Sequence, residues 1–569
     1  MLPRKQPKKW WIYPRIPVEV DESLKAFPAY MRQLLFNRNC LDETTATQYL
    51  NASAPLADPF LLTDMEKAVD RMLNAVDDKD PIIVYGDYDV DGVSATALMV
   101  QVLRVFKADV SAYIPNRFDE GYGLNSDALQ DLAARGAKVV LTVDCGIRSI
   151  QEAALASELG IDLIISDHHF PKGDVPHAYA VICPKQDGDE YPYKEMAGVG
   201  LAFKITQGLF ARRSISGYSA DDWLDLVALG TVADVVPLTG ENRVLVRRGL
   251  NLLRQGKRIG LQALIRVSGR DPARISAGDI GFMLGPRLNA AGRIDSAMQA
   301  YELLMSESAD ESALLAQKLD NQNTQRQRIT KEARKKAEDE IGIEPQTNLI
   351  ASFDAMYNSG IVGLVATGLV DTFYRPALVG SMEEEFTRAS CRSIREFHIT
   401  RALDECADLL VRHGGHAMAA GFTVRNENID QLLERLGQIA ARELEGKDLR
   451  KTIEADMEWP IERLGEISLK ELDKLQPTGM ENRDAVFVSR NVEIVRPRAI
   501  GADKIHLKFA CLAGDYMLDA VAWRQADWLR LLPGKFDLVY AIEENDYMGS
   551  RTLQLNVKDM QPSEGNVTA

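Results

Sequence analysis

The sequence predicts an α/β fold: a doubly wound, mostly parallel sheet is joined by a long helix to a second α/β domain, and an OB-like β-barrel follows. Three observations predict this order. Short apolar runs alternate with helix-like segments between residues 81 and 166, a charged helical stretch runs from Ser308 to Gly342, and five strand-like runs follow Ala485. Strands that alternate with helices are typical of a mostly parallel sheet.

The first sheet is predicted from short apolar runs bounded by turn residues, the pattern of buried parallel strands. Helix-like segments precede and separate these runs. The predicted strands are Pro81–Tyr85, Lys138–Val143 and Ile161–Ser166, and the predicted helices are Asp64–Val76, Ser94–Phe106 and Ser149–Leu159.

The long helix opens on a capping-box pattern at Ser308–Glu311. Its roughly 35 residues would span ~50 Å, and a helix this polar is typical of a bridge between two domains. Five strand-like runs with one short helix-like segment, Trp523–Leu531, then predict an OB-like barrel. Those runs are Val486–Val495, Lys504–Leu512, Tyr516–Trp523, Phe536–Ile542 and Arg551–Val557.

These elements divide the chain of 569 residues into five regions. We expect a helical lead-in, a sheet-bearing core, a linking helix, a second α/β domain and an OB-like domain. Their expected limits are 1–50, 51–305, 306–345, 346–446 and 447–569.

The net charge of −16 argues by itself against a polyanionic partner. The charge is uneven, however, because eleven basic residues and only two aspartates lie between Arg243 and Arg293. Each arginine taken alone fits a solvated helical face, but the group favours a phosphate-rich ligand. The six cysteines are scattered without a CxxC pair, which predicts buried thiols in a reducing compartment. No apolar run approaches the length of a membrane span, so no membrane association is expected and the expected location is the cytoplasm.

A cluster of acidic residues follows the first predicted strand. In Gly86–Gly92, the carboxylates Asp87, Asp89 and Asp91 alternate, and alternate side chains of an extended chain point the same way. Crowded carboxylates favour a hard divalent cation between them. An exposed acidic turn is the alternative and would be the better interpretation of one DxD pattern alone. An EF-hand is excluded, because no Glu stands where its loop needs one.

Three further groups change that balance. Asp144 and the run Asp167-His168-His169 each follow a predicted strand, and Asp234 follows an apolar stretch. Open α/β sheets build their sites at the carboxyl ends of their strands. A lone His is more often a structural residue, but adjacent ones in a chain of seven histidines favour metal binding. Carboxylates with imidazole suit Mn²⁺ and tolerate Mg²⁺.

These motifs resemble those of a known family. Four of them, in order, resemble the motifs of the DHH phosphoesterase superfamily: GDYDVDG, VDCG, DHH and GTVADVVPL. GGHAMAAGF resembles the signature of the DHH-associated domain, and three more segments narrow the resemblance to the RecJ exonucleases: PNRFDEGYGL, AGVGLAFK and GPRLNAAGRI. The resemblance covers nearly the whole chain.

The resemblance implies a centre of two divalent metal ions, Mn²⁺ or Mg²⁺. It implies that Asp89 binds one ion, that Asp91 and His168 bind the other, that Asp144 bridges them and that Asp234 completes the set. These residues, with His169, would form the catalytic centre.

Three neighbouring positions receive less direct roles. The resemblance implies that His169 contacts the scissile phosphate or the leaving oxygen, and that Asp167 orients an imidazole from outside the ligand set. Asp87 is expected as a ligand or just outside the ligands. One position departs from related family II inorganic pyrophosphatases, because Tyr85 stands where those enzymes have a His ligand. The first metal would then be held more loosely, or by Asp87 or water.

The activity that the resemblance implies is 5′-to-3′ exonucleolytic hydrolysis of single-stranded DNA in recombination and repair. Expected partners are single-stranded DNA, a single-strand-binding protein and a helicase, with the chain as a monomer. For Arg287, Asn289 and Arg293, the alternative to a DNA contact is a polar turn with an Arg salt bridge. For Gly421 in the associated domain, the alternative is a glycine required for tight packing. The expected contacts are Arg287, Asn289 and Arg293 in GPRLNAAGRI, Arg392, Ser393, Gly414, Gly415 and His416 in the associated domain, and Lys504, His506, Lys508 and Tyr516 in the barrel. Trp523 and Trp528 are expected in the core.

Two other functions compete with this one. A small-substrate phosphoesterase, such as a nano-RNase or nucleotide phosphatase, would share only the first two domains, so the OB-like region and the basic segment argue against it. A non-catalytic scaffold would have lost metal ligands, whereas Asp89, Asp91, Asp144, His168 and Asp234 are all present.

Overall fold

The structure is a computed structural model that describes residues 8–116, 120, 123–294, 296–342, 345, 347–514, 516–547 and 550–563. It divides into two compact units. One unit combines Ile12–Asp320 with the chain from Glu454 onward, and the other is formed mainly by Asn321–Ile453. The expected arrangement of a parallel-sheet core, a second α/β domain and a terminal barrel is confirmed.

The N-terminal elements are a short strand and three helices: β1 (Lys9–Ile12), α1 (Val18–Ser23), α2 (Ala29–Phe36) and α3 (Glu43–Asn51). The helices have no core of their own. Leu24, Met31 and Leu34 are fully buried in one apolar cluster with Phe487 and Phe536 of the C-terminal barrel. The lead-in therefore belongs physically to the barrel at the other end of the chain.

The first sheet has five parallel strands in the order β3-β2-β4-β5-β6. Alternate side chains enter two different cores, because Val84 packs with one set of helices and Tyr85 with the other. The sheet is therefore doubly wound, as predicted. Its elements are α4 (Met65–Asp78), β2 (Ile82–Gly86), α5 (Val90–Val105), β3 (Val110–Tyr113), α6 (Ser126–Ala134), β4 (Val139–Val143), α7 (Ile150–Glu158), β5 (Asp162–Ser166) and β6 (Ala180–Ile182).

A helical layer completes this core. Helix α5 packs against α8 and α9, and nearly all of its residues are buried, which explains why it is apolar all round. A π-helical segment, Ile280–Leu284, leads directly into α13. The helices are α8 (Gly198–Arg212), α9 (Leu224–Ala233), α10 (Gly240–Arg254), α11 (Ile259–Val267), α12 (Ala277–Asp279), α13 (Gly285–Ile294) and α14 (Met298–Met305).

The predicted long helix is present as α15 (Ala309–Ile341), with 33 residues. The boundary between the two compact units falls within it, after Asp320. None of the described helices is both long enough and apolar enough to cross a lipid bilayer.

The second α/β domain has a mixed sheet in the order β10-β11-β9-β8-β7, in which only the β7–β8 pair is parallel. Its elements are β7 (Ile350–Asp354), α16 (Val362–Phe373), β8 (Ala377–Met382), β9 (Phe386–Arg392), α17 (Ile399–Asp404), β10 (Leu410–Gly415), β11 (Ala419–Arg425) and α18 (Ile429–Leu444).

The C-terminal strands close into a five-stranded barrel, because β14 pairs with both β15 and β17 while β16 pairs with β18. The helix expected at Trp523–Leu531 is a shorter 3₁₀ helix, Ala526–Leu531. The elements are β12 (Thr452–Ala455), β13 (Met457–Glu458), α19 (Leu469–Leu472), β14 (Phe487–Ile500), β15 (His506–Ala513), β16 (Tyr516–Ala522), β17 (Gly534–Tyr547) and β18 (Ser550–Pro562).

Candidate metal centre

The carboxyl edge of the first sheet brings acidic residues from separate segments together. Asp87 follows β2, Asp144 follows β4 and Asp167 follows β5, and these three strands are neighbours in the sheet. Because the strands are parallel, their carboxyl ends meet at one edge. All three aspartates are buried.

Asp89 and Asp91 are positioned by the start of α5. Asp89 is the N-cap residue, and its Oδ1 accepts hydrogen bonds from the amides of Asp91 and Gly92 at 2.8 and 3.1 Å. Such caps satisfy amides that the first helical turn leaves unbonded. Only a glycine fits at position 92, because a Cβ there would lie 2.5 Å from the carbonyl oxygen of Asp87. The motif therefore combines a strand end, a cap and a tight turn.

Asp91 is held from a second helix. Its Oδ2 accepts a hydrogen bond from the amide of Gly198 at 2.6 Å, and its Oδ1 accepts one from Val199 at 2.9 Å. Both amides lie at the start of α8, where the helix dipole favours a negative charge. A Cβ at Gly198 would lie 2.5 Å from that of Asp144, so this helix start fits closely between two acidic residues. The AGVG segment contains both amides, but no role was predicted for Gly198 or Val199.

Asp144, His168 and Asp234 meet around one imidazole nitrogen. Nε2 of His168 lies 3.2 Å from Oδ1 of Asp144 and 3.6 Å from Oδ2 of Asp234. Asp144 has a φ of 65°, a left-handed conformation that is uncommon for residues other than glycine. Asp234 is the C-cap residue of α9, so it reaches the cluster from a helix end and not from a strand.

Seven side chains together form overlapping groups whose ligand atoms lie within 4.8 Å of one another. Asp144 and His168 each belong to two of these groups, and a carboxylate such as that of Asp144 has two oxygens that could contact two cations. The groups are Asp87 with Asp89 and Asp144, Asp91 with His168 and Asp234, and Asp144 with His168 and His169.

The polar atoms of this cluster fit a cation. Oδ1 of Asp144, Oδ2 of Asp234 and Nε2 of His168 are buried and form no hydrogen bond with any described residue. Buried polar atoms without partners are costly, and acidic oxygens placed this close repel one another. Oxygen and imidazole donors are the set that Mn²⁺ accepts and that Mg²⁺ tolerates.

Burial and mutual repulsion shift the pKa values of the cluster. Burial, followed by the charge of Asp89, raises the pKa of Asp91 to about 7. Burial, followed by the charges of Asp91 and Asp89, raises the pKa of Asp234 to about 9 and that of Asp144 well above its usual value. Burial also lowers the pKa of His168 to about 3, so its ring is neutral and able to bind a metal.

Asp167 orients His169 and not His168. Its Oδ1 lies 2.7 Å from Nδ1 of His169, and its Oδ2 accepts a hydrogen bond from the amide of Ile147 at 2.9 Å. Burial opposes charge on both partners, yet the bond and the opposite charges lower the pKa of Asp167 and raise that of His169. Of the two histidines, His169 is therefore the one whose protonated form is favoured.

Tyr85 takes no part in the cluster. Its ring is buried and stacks on Tyr113 at 5.0 Å, and its hydroxyl donates to the carbonyl oxygen of Gly123 at 3.1 Å and accepts from Asn125 at 3.1 Å. The side chain therefore packs in the core on one face of the sheet, together with Val140.

The basic segment is mostly occupied by internal contacts, so most of its arginines are not available to bind phosphate as a group. Arg243 is buried, and it donates to the carbonyl oxygens of Tyr49, Lys474, Leu475 and Pro477. Counting charge along the chain cannot detect this, because buried carbonyl oxygens satisfy the hydrogen-bond donors of an arginine without any acidic residue. Other internal contacts join Arg247 to Lys474 and Gln476, Arg254 to Ile275, Arg258 to Asp225, and Arg270 to Asp279.

The GPRLNAAGRI segment is helix α13, so the polar turn considered above is not present. The salt bridge is present, because Nε of Arg287 lies 2.8 Å from Asp320 and Nη1 donates to the carbonyl oxygen of Met283. Gly292 lies against the acidic motif, since a Cβ there would be 3.1 Å from the carbonyl oxygen of Tyr88. Asn289 and Arg293 are both half-buried on this helix.

In the second domain, Gly414, Gly415 and His416 lie in the hairpin between β10 and β11. The amide of His416 donates to the carbonyl oxygen of Ala419 at 2.8 Å, and a Cβ at Gly415 would lie 2.4 Å from that oxygen. Tight packing thus accounts for Gly415, while the His416 side chain is exposed.

Arg392 and Ser393 lie at the end of β9 and differ in access. Nη2 of Arg392 would be 3.1 Å from a Cβ at Gly363, so the guanidinium reaches the start of α16. The expectation for Ser393 is corrected, because its hydroxyl is buried and donates to the carbonyl oxygen of Phe397 at 2.6 Å, which closes a turn.

On the barrel, Lys504 is exposed, and Lys508 pairs with Asp519 at 3.1 Å. Nδ1 of His506 accepts from the amide of Arg524, and its ring meets the edge of Trp523 at 4.9 Å. The side chain of Tyr516 lies outside the described residues.

The prediction that both barrel tryptophans are core residues is half wrong. Trp523 is 54% exposed, whereas Trp528 is 6% exposed. Trp523 stands just beyond the end of β16, where the chain leaves the barrel. All six cysteines are buried free thiols, as predicted.

Comparison with known families finds three matching models. The DHH family N-terminal domain matches residues 81–231, the DHHA1 domain matches residues 346–442, and the RecJ OB domain matches residues 455–559. The first match contains every residue of the acidic and imidazole cluster except Asp234.

Whole proteins are similar over nearly the full chain. The single-stranded-DNA-specific exonuclease RecJ of Bacillus subtilis is 39% identical over 93% of this chain and 68% of its own. The exonuclease of the same name from Salmonella typhimurium is 33% identical over 96% of this chain and 98% of its own. The crystal structure of RecJ from Thermus thermophilus in complex with Mn²⁺ matches with a TM-score of 0.85 at 27% identity, over 98% of this chain and 80% of that one.

Proposed function

This chain belongs to the family of RecJ single-stranded-DNA-specific exonucleases, and on that premise we propose that it hydrolyses phosphodiester bonds of single-stranded DNA from the 5′ end in recombination and repair. The observation that carries the proposal is the convergence of Asp144, His168 and Asp234, whose buried ligand atoms form no hydrogen bond with any described residue. Two divalent cations, Mn²⁺ or Mg²⁺, would fit this cluster.

Each cation would have its own ligand set, with Asp144 shared between the two. Asp87 and Asp89 would hold one ion, while Asp91, His168 and Asp234 would hold the other, in the groups that lie within 4.8 Å. The amides of α8 that bond Asp91 keep its carboxylate in place. The Asp87 side chain, directly after β2, would supply the ligand that Tyr85 cannot.

The chain's own residues would divide the remaining chemistry. Bound divalent cations supply Lewis acidity and make a water acidic enough to attack at neutral pH. His169, held by Asp167, would hydrogen-bond the scissile phosphate or the leaving oxygen, and its raised pKa favours the protonated form for that contact. Arg293 and Asn289 belong to α13, whose Gly292 packs against the acidic motif, and they would bind a neighbouring phosphate.

The other proposed contacts would bind the DNA strand at further positions. In the second domain we retain Arg392, Gly414 and His416, and on the barrel Lys504, His506 and Lys508, now joined by the exposed Trp523. The domain limits that we propose remain 51–305, 346–446 and 447–569, with 306–345 as linker and 1–50 as a lead-in whose helices pack on the barrel. Since DNA is the substrate, we place the chain in the cytoplasm, as a monomer that works with a helicase and a single-strand-binding protein.

The test is digestion of end-labelled oligonucleotides with Mg²⁺, Mn²⁺ or a chelator. We expect single-stranded DNA to be degraded from its 5′ end with either metal, while duplex DNA and the chelator give no product. Asp144→Ala should abolish cleavage and leave DNA binding largely intact. A dinucleotide substrate distinguishes the competing small-substrate phosphoesterase: faster cleavage of the dinucleotide than of a long strand would contradict the proposal.

A further inference from the structure

An exposed aromatic ring stands directly beside the candidate metal centre. Phe170 follows the DHH motif, and its side chain is 56% exposed. None of the roles described above uses this residue.

A lysine side chain packs against one face of the Phe170 ring. Nζ of Lys185 lies 4.7 Å from the centroid of the Phe170 ring and 3.4 Å from Oε2 of Glu195. The Lys185 side chain is 9% exposed, so it is fixed under the ring and does not sweep through solvent. A cation on one face of a phenyl ring leaves the opposite face available for a second planar group.

The backbone of Phe170 is fixed from another strand end. Nε of Arg148 donates to the carbonyl oxygen of Phe170 at 2.9 Å, and Arg148 follows β4 just after Asp144 and Ile147. The carbonyl oxygen of the preceding residue, His169, accepts a hydrogen bond from the thiol of Cys183 at 3.5 Å. Three strand ends thus hold Phe170 in one position.

Phe170 is also tied to the metal centre through the chain. It directly follows His169, whose ring centroid lies 4.5 Å from that of His168 and which belongs to one of the groups of candidate ligands. Phe170 therefore lies at the rim of the same site.

We propose that the open face of Phe170 is a stacking platform for a nucleobase adjacent to the scissile phosphate, an inference that rests on the proposed exonuclease function. The ligand class is a base of single-stranded DNA, and any of the four fits, since every base has a π-face. The ring would bind the strand and set its register over the metals. A base inside a duplex is already stacked on both faces and must leave the helix to lie on the ring, so the platform also favours single strands.

The test combines single abasic residues in the DNA with substitutions at Phe170. Oligonucleotides carry one abasic residue at successive positions from the attacked end, and kcat/KM is measured for each with Mn²⁺. For the wild-type chain, one position should show a penalty of about 5- to 100-fold, the range of base–aromatic stacking. Phe170→Ala should lower kcat/KM on intact DNA by a similar factor, mainly through KM, and should erase the abasic penalty at that position. Phe170→Trp should restore both.

Tyr218→Ala is the matched control. Tyr218 is 51% exposed and stacks on Trp223, whose indole bonds Gln101, about three turns of α5 beyond Asp89. The Tyr218→Ala variant should show the same abasic penalty as the wild-type chain. If the loss of kcat/KM caused by Phe170→Ala and the loss caused by the abasic residue multiply at every position, the two act independently. That result, with intact DNA still degraded, would overturn the platform. A wild-type chain that does not degrade intact DNA would instead overturn the exonuclease function itself.

Discussion

Oδ1 of Asp167 lies 2.7 Å from Nδ1 of His169 and also accepts a hydrogen bond from the amide of the same histidine at 3.0 Å. This double contact gives two adjacent histidines opposite properties, because the neighbouring His168 is buried without such a carboxylate bond. His168 is neutral, with a pKa lowered to about 3 mainly by burial, and His169 has a raised pKa. One suits a metal ligand and the other a phosphate contact.

Asp167→Asn should therefore lower kcat/KM by about 10–100-fold, the usual effect of removing a group that orients a site residue. Without the Asp167 charge, the pKa of His169 falls, so the alkaline limb of the pH–rate profile should move to lower pH. The measurement is kcat/KM from about pH 6 to pH 9 at saturating Mn²⁺. A variant with reduced activity but an unchanged profile would show that Asp167 acts only structurally.

The raised pKa values of the acidic cluster predict how metal and pH together determine stability. In the metal-free folded chain, Asp91 and Asp234 keep protons up to about pH 7 and pH 9, whereas the unfolded chain loses them near the usual value of 3.8. The folded state thus binds more protons across this window, and its free energy of unfolding should fall as pH rises through it.

Bound Mn²⁺ takes the place of those protons, so the gain in Tm on adding Mn²⁺ should grow from pH 6 to pH 9. Thermal unfolding with Mn²⁺ or with a chelator measures this difference. Asp234→Asn should raise the Tm measured in the chelator. The same variant should lose much of the increase in Tm that Mn²⁺ gives. A gain that is independent of pH would mean that the cluster does not bind the metal.

Arg243→Ala should destabilise the fold without acting on DNA directly. The variant removes one hydrogen-bond donor from each of the carbonyl oxygens of Tyr49, Leu475 and Pro477 and leaves a cavity where the guanidinium was buried, so the free energy of unfolding should drop by about 2–5 kcal/mol. Arg248→Ala, on the same helix but exposed, should change it by no more than about 0.5 kcal/mol. Denaturant unfolding compares the two variants. Equal effects would contradict the internal role assigned to Arg243.

The two barrel tryptophans should respond differently to substitution. Trp523→Ala should weaken binding to a long oligonucleotide by about 5- to 100-fold with little change in Tm, because its ring is exposed. Trp528→Ala should lower the free energy of unfolding by about 3–5 kcal/mol, because its ring packs on Phe536 in the barrel core. Fluorescence anisotropy and thermal unfolding measure the two effects. If Trp523→Ala left the affinity unchanged, the exposed ring would not be a DNA contact.

Much of the candidate site was predictable, because strand ends can be recognised from local patterns. Asp87, Asp144 and His168 each follow an apolar run, and parallel strands bring their carboxyl ends to one edge. Asp234 ends a helix, which periodicity alone could not direct to that edge, so its place depended on the motif. The doubly wound sheet, the long helix and the five-stranded barrel followed from the same local patterns.

Contacts between distant segments could not be predicted. Whether Arg243 faces solvent or the carbonyl oxygens of residues 474–477 depends on tertiary packing across more than 200 positions of chain. Trp523 lies in an apolar stretch of sequence, yet its ring is exposed because the strand before it ends there. Gly198 and Val199 contact Asp91 through their backbone amides, which the identity of a side chain does not reveal. The helical lead-in likewise joins a core formed by residues at the opposite end of the chain.

Anomalous diffraction from crystals soaked in Mn²⁺ would show whether four separated segments of the chain hold two cations. We expect two anomalous peaks: one bounded by Asp87, Asp89 and Asp144, and the other by Asp91, His168 and Asp234, with Asp144 contacting both. A single peak, or peaks remote from these side chains, would contradict this expectation.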